Sequence, residues 1–287
     1  MAVTVRPEGR AKALGRGLAG AFRGGWAIDT NWANPFVSLT FQLLRPVGAA
    51  LILVFIYKVA AGDSADPVRL AWLVVGAALW SYVMSALEGI SAAVQREREW
   101  LKVLKYVVVT PLPFSAYLLG RSGTWLVWGT VRAVFVLLVT VPFLELPVDP
   151  LTFDWPQLAV AMALGLIALA GMGMGLAGIA LGVARHPMGV GEGVIGVLYL
   201  ITGAIFPVTQ LPDWLEVVAR SLPLTYWLEA CRQAMITGYD PTTIGIPDPF
   251  GLLAVTGLAW LVVGAASFKW FNRKARAEGL YDRTTEY

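Results

Sequence analysis

The sequence predicts an all-α integral membrane protein with six transmembrane helices, an N-terminal amphipathic interfacial helix, and a re-entrant external helical hairpin between spans five and six. Of the 287 residues, 57% are hydrophobic and only 14% are charged, whereas about a quarter of the residues in soluble domains are charged. Apolar stretches of about 20 residues, long enough to cross a bilayer, recur along the chain. The Lys and Arg residues cluster in alternate loops between these stretches, as expected for membrane proteins.

The first element is an amphipathic segment within a cytoplasmic region of residues 1–35. Leu14, Leu18, Phe22 and Trp26 recur every four residues, with basic residues on other faces. This pattern predicts a helix that lies on the cytoplasmic leaflet. The interspersed glycines would each weaken it by about 1 kcal/mol relative to alanine. A basic tail without helical structure is the alternative.

Six apolar segments are predicted to cross the membrane within a single domain of residues 36–271. The fifth is short and is broken by Pro207, which indicates a span that ends early. A polar cytoplasmic tail, residues 272–287, follows the sixth. The six segments are 36–57, 70–94, 115–141, 157–183, 189–206 and 250–271.

The distribution of Lys and Arg predicts the orientation. With the N-terminus inside, fifteen of these residues fall in cytoplasmic segments and only Lys58, Arg69, Arg220 and Arg232 in external loops. Basic residues are retained on the cytoplasmic side, so both termini are predicted to be cytoplasmic and the protein to lie in the cell inner (plasma) membrane. The net charge of +3 then reflects orientation and anionic lipids rather than nucleic acid.

The densest charge run, Arg96-Glu97-Arg98-Glu99, follows the second span on the cytoplasmic side. Alternating charges on a helical extension predict a rigid polar knob that can dock into a groove on a partner. The alternative is a solvated charged turn, and charge alone favours that alternative.

Prolines divide the segment between the fifth and sixth spans into two short helices. Asp213 is predicted to cap the first, residues 213–221, and Thr225 to cap the second, which ends near Gly238. Both helices carry an apolar face, so they are predicted to rest in the outer leaflet. Non-helical backbone at membrane depth needs cover from protein or water, so this hairpin is predicted to close the external mouth of a path.

Three charged residues are predicted to lie within spans, namely Arg45, Glu88 and Arg132. An Arg at mid-span costs about 2.5–3.5 kcal/mol on insertion scales, so such a residue indicates a function by default. The depths allow Arg45 to pair with Glu88, and Arg132 to meet Glu229 of the hairpin. The alternative is structural pairing or snorkelling to the interface.

The fourth span carries glycines at small-xxx-small spacing, at Gly171 and Gly175 and again at Gly178 and Gly182. This spacing permits close approach of another helix. Packing within the chain is the favoured interpretation, and a seam between two copies is the alternative.

The sequence also lacks several kinds of chemical site. It has no G-x-x-x-x-G-K-[ST] phosphate loop, so no ATP site of that type is expected on this chain. One cysteine, Cys231, excludes an internal disulfide and is expected on the outer side. One histidine, His186, argues against a His/Cys zinc cluster and against a histidine-based hydrolase. No catalytic, cofactor-binding or metal-binding residues are therefore predicted.

The internal loop and the hairpin together resemble the type-2 ABC exporter permeases, the membrane subunits of transporters whose ATPase is a separate chain. In the loop, the charge run is followed by Thr110-Pro111 and Gly120-Arg121. The hairpin carries Phe-Pro, Leu-Pro-Asp-Trp and Leu-Pro-Leu-Thr-Tyr. The family's usual Gly-Thr after the acidic cluster is Trp100-Leu101 here.

The resemblance implies ATPase coupling through Arg96, Glu97, Arg98 and Glu99. It also implies an external gate in the hairpin. The expected partners are an ABC ATPase subunit, a second permease copy or paralogue, and membrane lipids, with ATP and Mg on the ATPase. The expected cargo is a hydrophobic drug-like compound, a lipid or a lipid-linked glycan. The gate residues are Phe206, Pro207, Pro212, Trp214, Pro223, Tyr226 and Glu229.

Two other classes of function are possible. An integral-membrane lipid-modifying enzyme would need convergent polar residues at one leaflet, such as an acid paired with a histidine, and the sequence lacks them. An ion-coupled secondary carrier would usually show two related halves, and no such duplication is visible.

Overall fold

The structure is a computed structural model that describes residues 10–30, 34–182, 187–241, 245–246 and 248–281. Over these residues the chain forms helices and contains no strand. Five of the described helices are long and apolar enough to cross a membrane. They are α2 (Pro35–Ala61), α3 (Pro67–Gln95), α5 (Phe114–Leu144), α6 (Trp155–Gly182) and α10 (Pro249–Ala277).

These helices extend the predicted spans by a few residues at most ends. They contain 27 to 31 residues, which corresponds to about 40–47 Å at 1.5 Å per residue. The hydrocarbon core is only about 30 Å thick. Their ends therefore project into the headgroup regions, where charged side chains are tolerated.

The predicted count of six spans is not reproduced. Helix α7 (Pro187–Ile201) contains 15 residues, or about 22 Å, too short to cross the hydrocarbon core alone. It ends before the Phe206-Pro207 pair, because Gly203 adopts a φ of +78°. Glycine tolerates this left-handed conformation and commonly terminates helices there. The early end was predicted, but its cause is the glycine rather than the proline.

The predicted amphipathic helix is present as α1 (Arg10–Thr30). Its buried side packs against α5, where its glycines allow close contact. A Cβ atom on Gly25 would lie 2.7 Å from Nη1 of Arg121, and one on Gly120 of α5 would lie 2.8 Å from the Leu18 carbonyl oxygen. The glycines thus bring the two helices together, and this packing offsets their low helix propensity.

Helix α3 forms the centre of the bundle, and most of its residues are buried inside the chain. Helices α6 and α10 pack closely through glycines. A Cβ on Gly171 would lie 2.5 Å from Cα of Leu261, and one on Gly178 would lie 3.1 Å from Cα of Phe268. This confirms packing within the chain as the role of the glycine motif. Gly264 on α10 completes the contact opposite Gly171.

The hairpin consists of α8 (Asp213–Arg220) and α9 (Pro223–Met235). Both predicted caps are wrong. Pro212 occupies the cap position of α8, and no side chain bonds there. Thr225 lies inside α9, because Pro223 already begins that helix, as proline does readily at a first helical position.

The two hairpin helices also differ in burial, contrary to the prediction that both rest in a leaflet. Helix α9 is buried almost throughout, and Trp227 and Leu228 have no exposed surface. Helix α8 is amphipathic and exposes Trp214 and Val217. Three of the arginines predicted to be cytoplasmic, Arg6, Arg185 and Arg283, lie outside the described residues, as does His186.

Candidate coupling site, inner cavity and external hairpin

The charge run that follows α3 forms a π-helix, Arg96–Trp100. The Leu101 amide donates to the Arg96 carbonyl at 2.9 Å, and Lys102 with a φ of +53° ends the turn. The relative exposures of Glu97, Arg98 and Glu99 are 0%, 2% and 5%. The predicted water-exposed polar knob is therefore wrong, because these side chains turn onto partners inside the protein.

Arg121 of α5 lies at the centre of this charge network. Its guanidinium donates to both carboxylate oxygens of Asp29, at 2.7 and 3.0 Å, and to Oε1 of Glu97 at 3.2 Å. Arg96 donates to the same Asp29 carboxylate at 2.8 Å. Bidentate pairs of this kind fix geometry as well as charge. The network thus joins α1, the π-helix and α5.

The second pair in the π-helix connects it to the fourth span. Arg98 donates to Oε1 of Glu99 at 2.9 Å, and Nη1 of Arg98 lies 3.4 Å from the Ala180 carbonyl near the end of α6. Cationic side chains are favourable at helix C-termini, where carbonyl groups lack partners. The charged run therefore holds neighbouring ends of several helices in one arrangement.

The segment around the end of the charge run exposes large apolar side chains, alongside Lys102 and Lys105. The relative exposures are 57% for Trp100, 64% for Tyr106 and 82% for Val109. Tyr106 belongs to the short helix α4 (Leu104–Val108), whose Leu104 is fully buried. We call Trp100, Leu101, Tyr106 and Val109 the loop surface.

The intramembrane charges do not form the predicted pairs. Among the described residues, no ion pair within 4.0 Å joins Arg45 to Glu88, and the Arg45 side chain faces outward from the bundle. Arg132 donates to Oε1 of Gln42 at 2.6 Å and to Oγ of Ser85 at 3.2 Å, instead of meeting Glu229. Helical side chains lean towards the helix N-terminus, which for α5 is the end near the charge network.

A cavity of about 720 Å³, here called the inner cavity, lies beside the charge network between α1, α2, the π-helix and α5. Its aromatic walls were not predicted from sequence. Trp128 stacks on Trp26 of α1 with ring centroids 6.0 Å apart, and the Arg96 guanidinium lies 5.2 Å from the Trp125 ring centroid. The lining includes Asp29, Gln42, Arg96, Trp125, Trp128 and Arg132.

The turn between α8 and α9 is closed by side chains that bond the last carbonyl groups of α8. Thr225 donates to the Ala219 carbonyl and Tyr226 to the Arg220 carbonyl, each at 2.7 Å. The indole of Trp260 on α10 donates to the Ser221 carbonyl at 3.1 Å. Buried helix ends need such partners, so these bonds explain how the hairpin reverses direction against the bundle.

Arg232 of α9 holds the turn that follows α7 by hydrogen bonds. Its guanidinium donates to the carbonyl oxygens of Gly203, Ala204 and Trp72, at 2.9, 3.2 and 3.2 Å, and lies 3.6 Å from the centroid of the Trp72 ring. Gly203 and Ala204 lie in the turn that follows α7, and Trp72 lies on α3. Sequence reasoning placed Arg232 in an external loop and missed this buried role.

Glu229 and Cys231 are also buried within α9. The Tyr239 hydroxyl donates to Oε1 of Glu229 at 2.6 Å, and burial raises the pKa of the Glu229 carboxyl. Cys231 has no exposed surface, and burial raises the pKa of its thiol. The Cys231 thiol is therefore not accessible in the folded protein, and its position on the outer side stays a prediction.

The predicted gate residues occupy different environments. Trp214 at the start of α8 is 70% exposed, whereas Phe206 and Pro207 are half-buried and Pro212 is exposed. The remaining three, Pro223, Tyr226 and Glu229, are buried in α9.

The long apolar helices, the buried charge network and the folded-back hairpin define a multi-pass helical membrane protein. The sequence matches the ABC-2 type transporter family over residues 27–236. This match covers most of the chain, so the protein belongs to that family and is a transport subunit by membership. No curated protein matches the chain. The family match ends at the last residues of the hairpin, and α10 follows it.

Proposed function

We propose that this chain is the membrane-spanning permease subunit of an ATP-driven exporter. It would form the path for a hydrophobic drug-like, lipid or lipid-linked substrate, with ATP hydrolysis on a separate ATPase subunit and a second permease copy or paralogue beside it. Family membership supports the permease assignment. The observation that carries the coupling role is the buried network that joins the π-helix to α1, α5 and α6.

This arrangement divides coupling between two sets of residues. The ATPase would contact the loop surface, because large apolar side chains exposed outside the spans indicate an interaction site. Arg96, Glu97, Arg98 and Glu99 would transmit its movement by holding the loop against the helix ends. ATP binding would bring the two ATPases together and shift these loops, which would switch the path between inward and outward access.

Co-purification with the ATPase tests this docking surface. Tyr106→Asp or Val109→Asp should reduce the ATPase recovered with the chain, since a charge at an apolar interface is desolvated without a partner. Leu151→Asp is the matched control, because Leu151 is 91% exposed in the loop before α6, which is predicted to be external. Full recovery with both loop variants would exclude the loop surface as the docking site.

The proposed orientation places the loop surface in the cytoplasm and residue 151 outside. Buried Cys231 leaves the native chain without an accessible thiol, so single cysteines can be added directly. A membrane-impermeant maleimide on intact cells should label Leu151→Cys but should label Val109→Cys only after the cells are opened. Labelling of position 109 in sealed cells would reverse the orientation.

The hairpin is proposed as the external gate. Support comes from the burial of α9 against the bundle and from Arg232, which connects α9 to the turn after α7 and to α3. In this proposal, opening the external mouth requires α7, α8 and α9 to move together.

A further inference from the structure

The inner cavity contains a cation, Arg132, that forms no ion pair within 4.0 Å among the described residues. Arg132 donates hydrogen bonds to the neutral oxygens of Gln42 and Ser85. No carboxylate of the residues that the structure describes lies within 4.0 Å of its guanidinium. Glu88 acts on it only through a longer-range attraction. An arginine at membrane depth is costly unless it is paired. An anion in the cavity would supply the missing partner.

The other cation of the lining, Arg96, is already engaged. It pairs with Asp29 at 2.8 Å and lies over the Trp125 ring. The lining therefore has two guanidinium groups and one carboxylate, and that carboxylate is shared with Arg121. The remaining positive charge is centred on Arg132, so a bound ligand should carry its negative group there.

The walls of the cavity match an apolar ligand body. Trp125 and Trp128 line one side, and Ala27 and Ile28 of α1 line another. A volume of about 720 Å³ lies within the range of sites that enclose small organic molecules. Aromatic walls around a few polar groups suit an amphiphile better than a free ion, because a free ion would leave the apolar walls uncovered.

The cavity extends from the end of the bundle towards mid-membrane. Arg132 is eighteen residues after the start of α5, about 27 Å along the helix, and its side chain leans back towards that start. Asp29 and Arg96 lie at the end of the bundle where the π-helix begins. Trp100, at the edge of the cavity, is 57% exposed. The rim is therefore at the level of one leaflet surface, on the side proposed to be cytoplasmic.

We propose that the inner cavity binds an anionic phospholipid drawn from the cytoplasmic leaflet. The headgroup phosphate accepts hydrogen bonds from Arg132, whose side chain leans back to the level of Trp128, and the apolar body of the lipid packs against the Trp125 and Trp128 rings. Inorganic phosphate offers the same anionic group without an apolar body. The binding depends on the membrane position of the chain and not on ATP-driven transport, so this inference and the proposed function can fail separately.

Native mass spectrometry of the full-length chain in neutral detergent tests the proposal. The probes are phosphatidylglycerol, phosphatidylcholine and inorganic phosphate. Arg132→Gln removes the cation, and Ala27→Phe fills the cavity without changing charge. Arg69→Gln is the matched control, because Arg69 is exposed at the start of α3, far along the bundle from the cavity. Ala27 is exposed on α1, so its variant should fold even if the Arg132 variant does not.

Phosphatidylglycerol should bind the native chain and the Arg69 variant equally. Its affinity should fall about 10- to 100-fold in Arg132→Gln, the loss typical of one charged hydrogen bond, and at least as far in Ala27→Phe. Equal binding by all four proteins would overturn the proposal. Equal affinity for phosphatidylcholine would remove the anionic selectivity, and equally tight inorganic phosphate would identify a free-anion site instead of a lipid site.

Discussion

Replacing Arg121 by glutamine should destabilise the folded protein by several kcal/mol. Arg121 is 1% exposed and bonds Asp29 twice and Glu97 once. Glutamine keeps much of the side-chain length but removes the charge. Removing one partner of a buried ion pair costs about 3–5 kcal/mol, because the other charge stays buried without compensation.

The two carboxylates should not contribute equally to this loss. Asp29 keeps its 2.8 Å bond to Arg96 after the substitution. Glu97 is fully buried, and without Arg121 its carboxylate keeps the hydrogen bond of the neutral Tyr117 hydroxyl but loses its bonded cation. We therefore expect a loss near the lower end, about 3 kcal/mol, most of it from Glu97. Adding Glu97→Gln to the Arg121→Gln variant should recover part of the lost stability. In the double-mutant cycle, the interaction free energy between the two sites should be about 0.5–3 kcal/mol.

Reversible unfolding in mixed micelles, followed by circular dichroism, measures both the loss and the coupling. Arg220→Gln is the matched control, because Arg220 forms a partly exposed i,i+4 pair with Glu216 on α8. Such surface pairs contribute about 0–1 kcal/mol. An Arg121→Gln loss no larger than that of Arg220→Gln, or strictly additive losses in the cycle, would refute the network as a unit that stabilises the fold.

Three further predictions concern packing in the bundle. Gly264→Ala should destabilise the protein by about 1–3 kcal/mol, because the added Cβ would meet backbone of α6 that cannot move aside. Gly251→Ala on the same helix is the control. Its Cβ meets open space, so this variant should be neutral or stabilising in the same unfolding assay. Cys231 should resist a small maleimide in folded protein and react fully after denaturation, and rapid reaction in the folded state would contradict its burial. Gly76→Ala should displace the Arg232 guanidinium and lower thermal stability about as much as Arg232→Gln does, with no further loss when the two are combined.

The long helices were predictable because the bilayer imposes a simple requirement on the sequence. A span must be about 20 residues long and mostly apolar, so composition alone located α3, α5, α6 and α10 within a few residues. The role of the small-xxx-small glycines in packing was also predictable, because only small residues let two helices approach closely. Their partner helix was not predictable, since the motif does not specify what approaches it.

The arrangement of charged residues was predicted poorly, because it depends on contacts between distant parts of the chain. Asp29 and Arg121 are 92 residues apart, and nothing in the local pattern marks Asp29 as the partner. The prediction of the hairpin's helix caps was wrong for a related reason. Local propensity favoured Asp213 and Thr225 as caps, whereas Pro212 and Pro223, with their fixed φ, occupy the helix starts instead.

The burial of three consecutive charged residues has a mechanical consequence for the proposed coupling. On one face of a helix, residues 97, 98 and 99 could not all be hidden, because successive side chains point in different directions. All three are buried here, so protein surrounds the π-helix on several sides. An exposed knob on a flexible extension could bind an ATPase and still move independently of the spans. A π-helix that is enclosed and bonded to Asp29, Arg121 and the end of α6 cannot move independently of the spans. Any displacement of the loop surface must therefore shift the ends of α1, α5 and α6 as well.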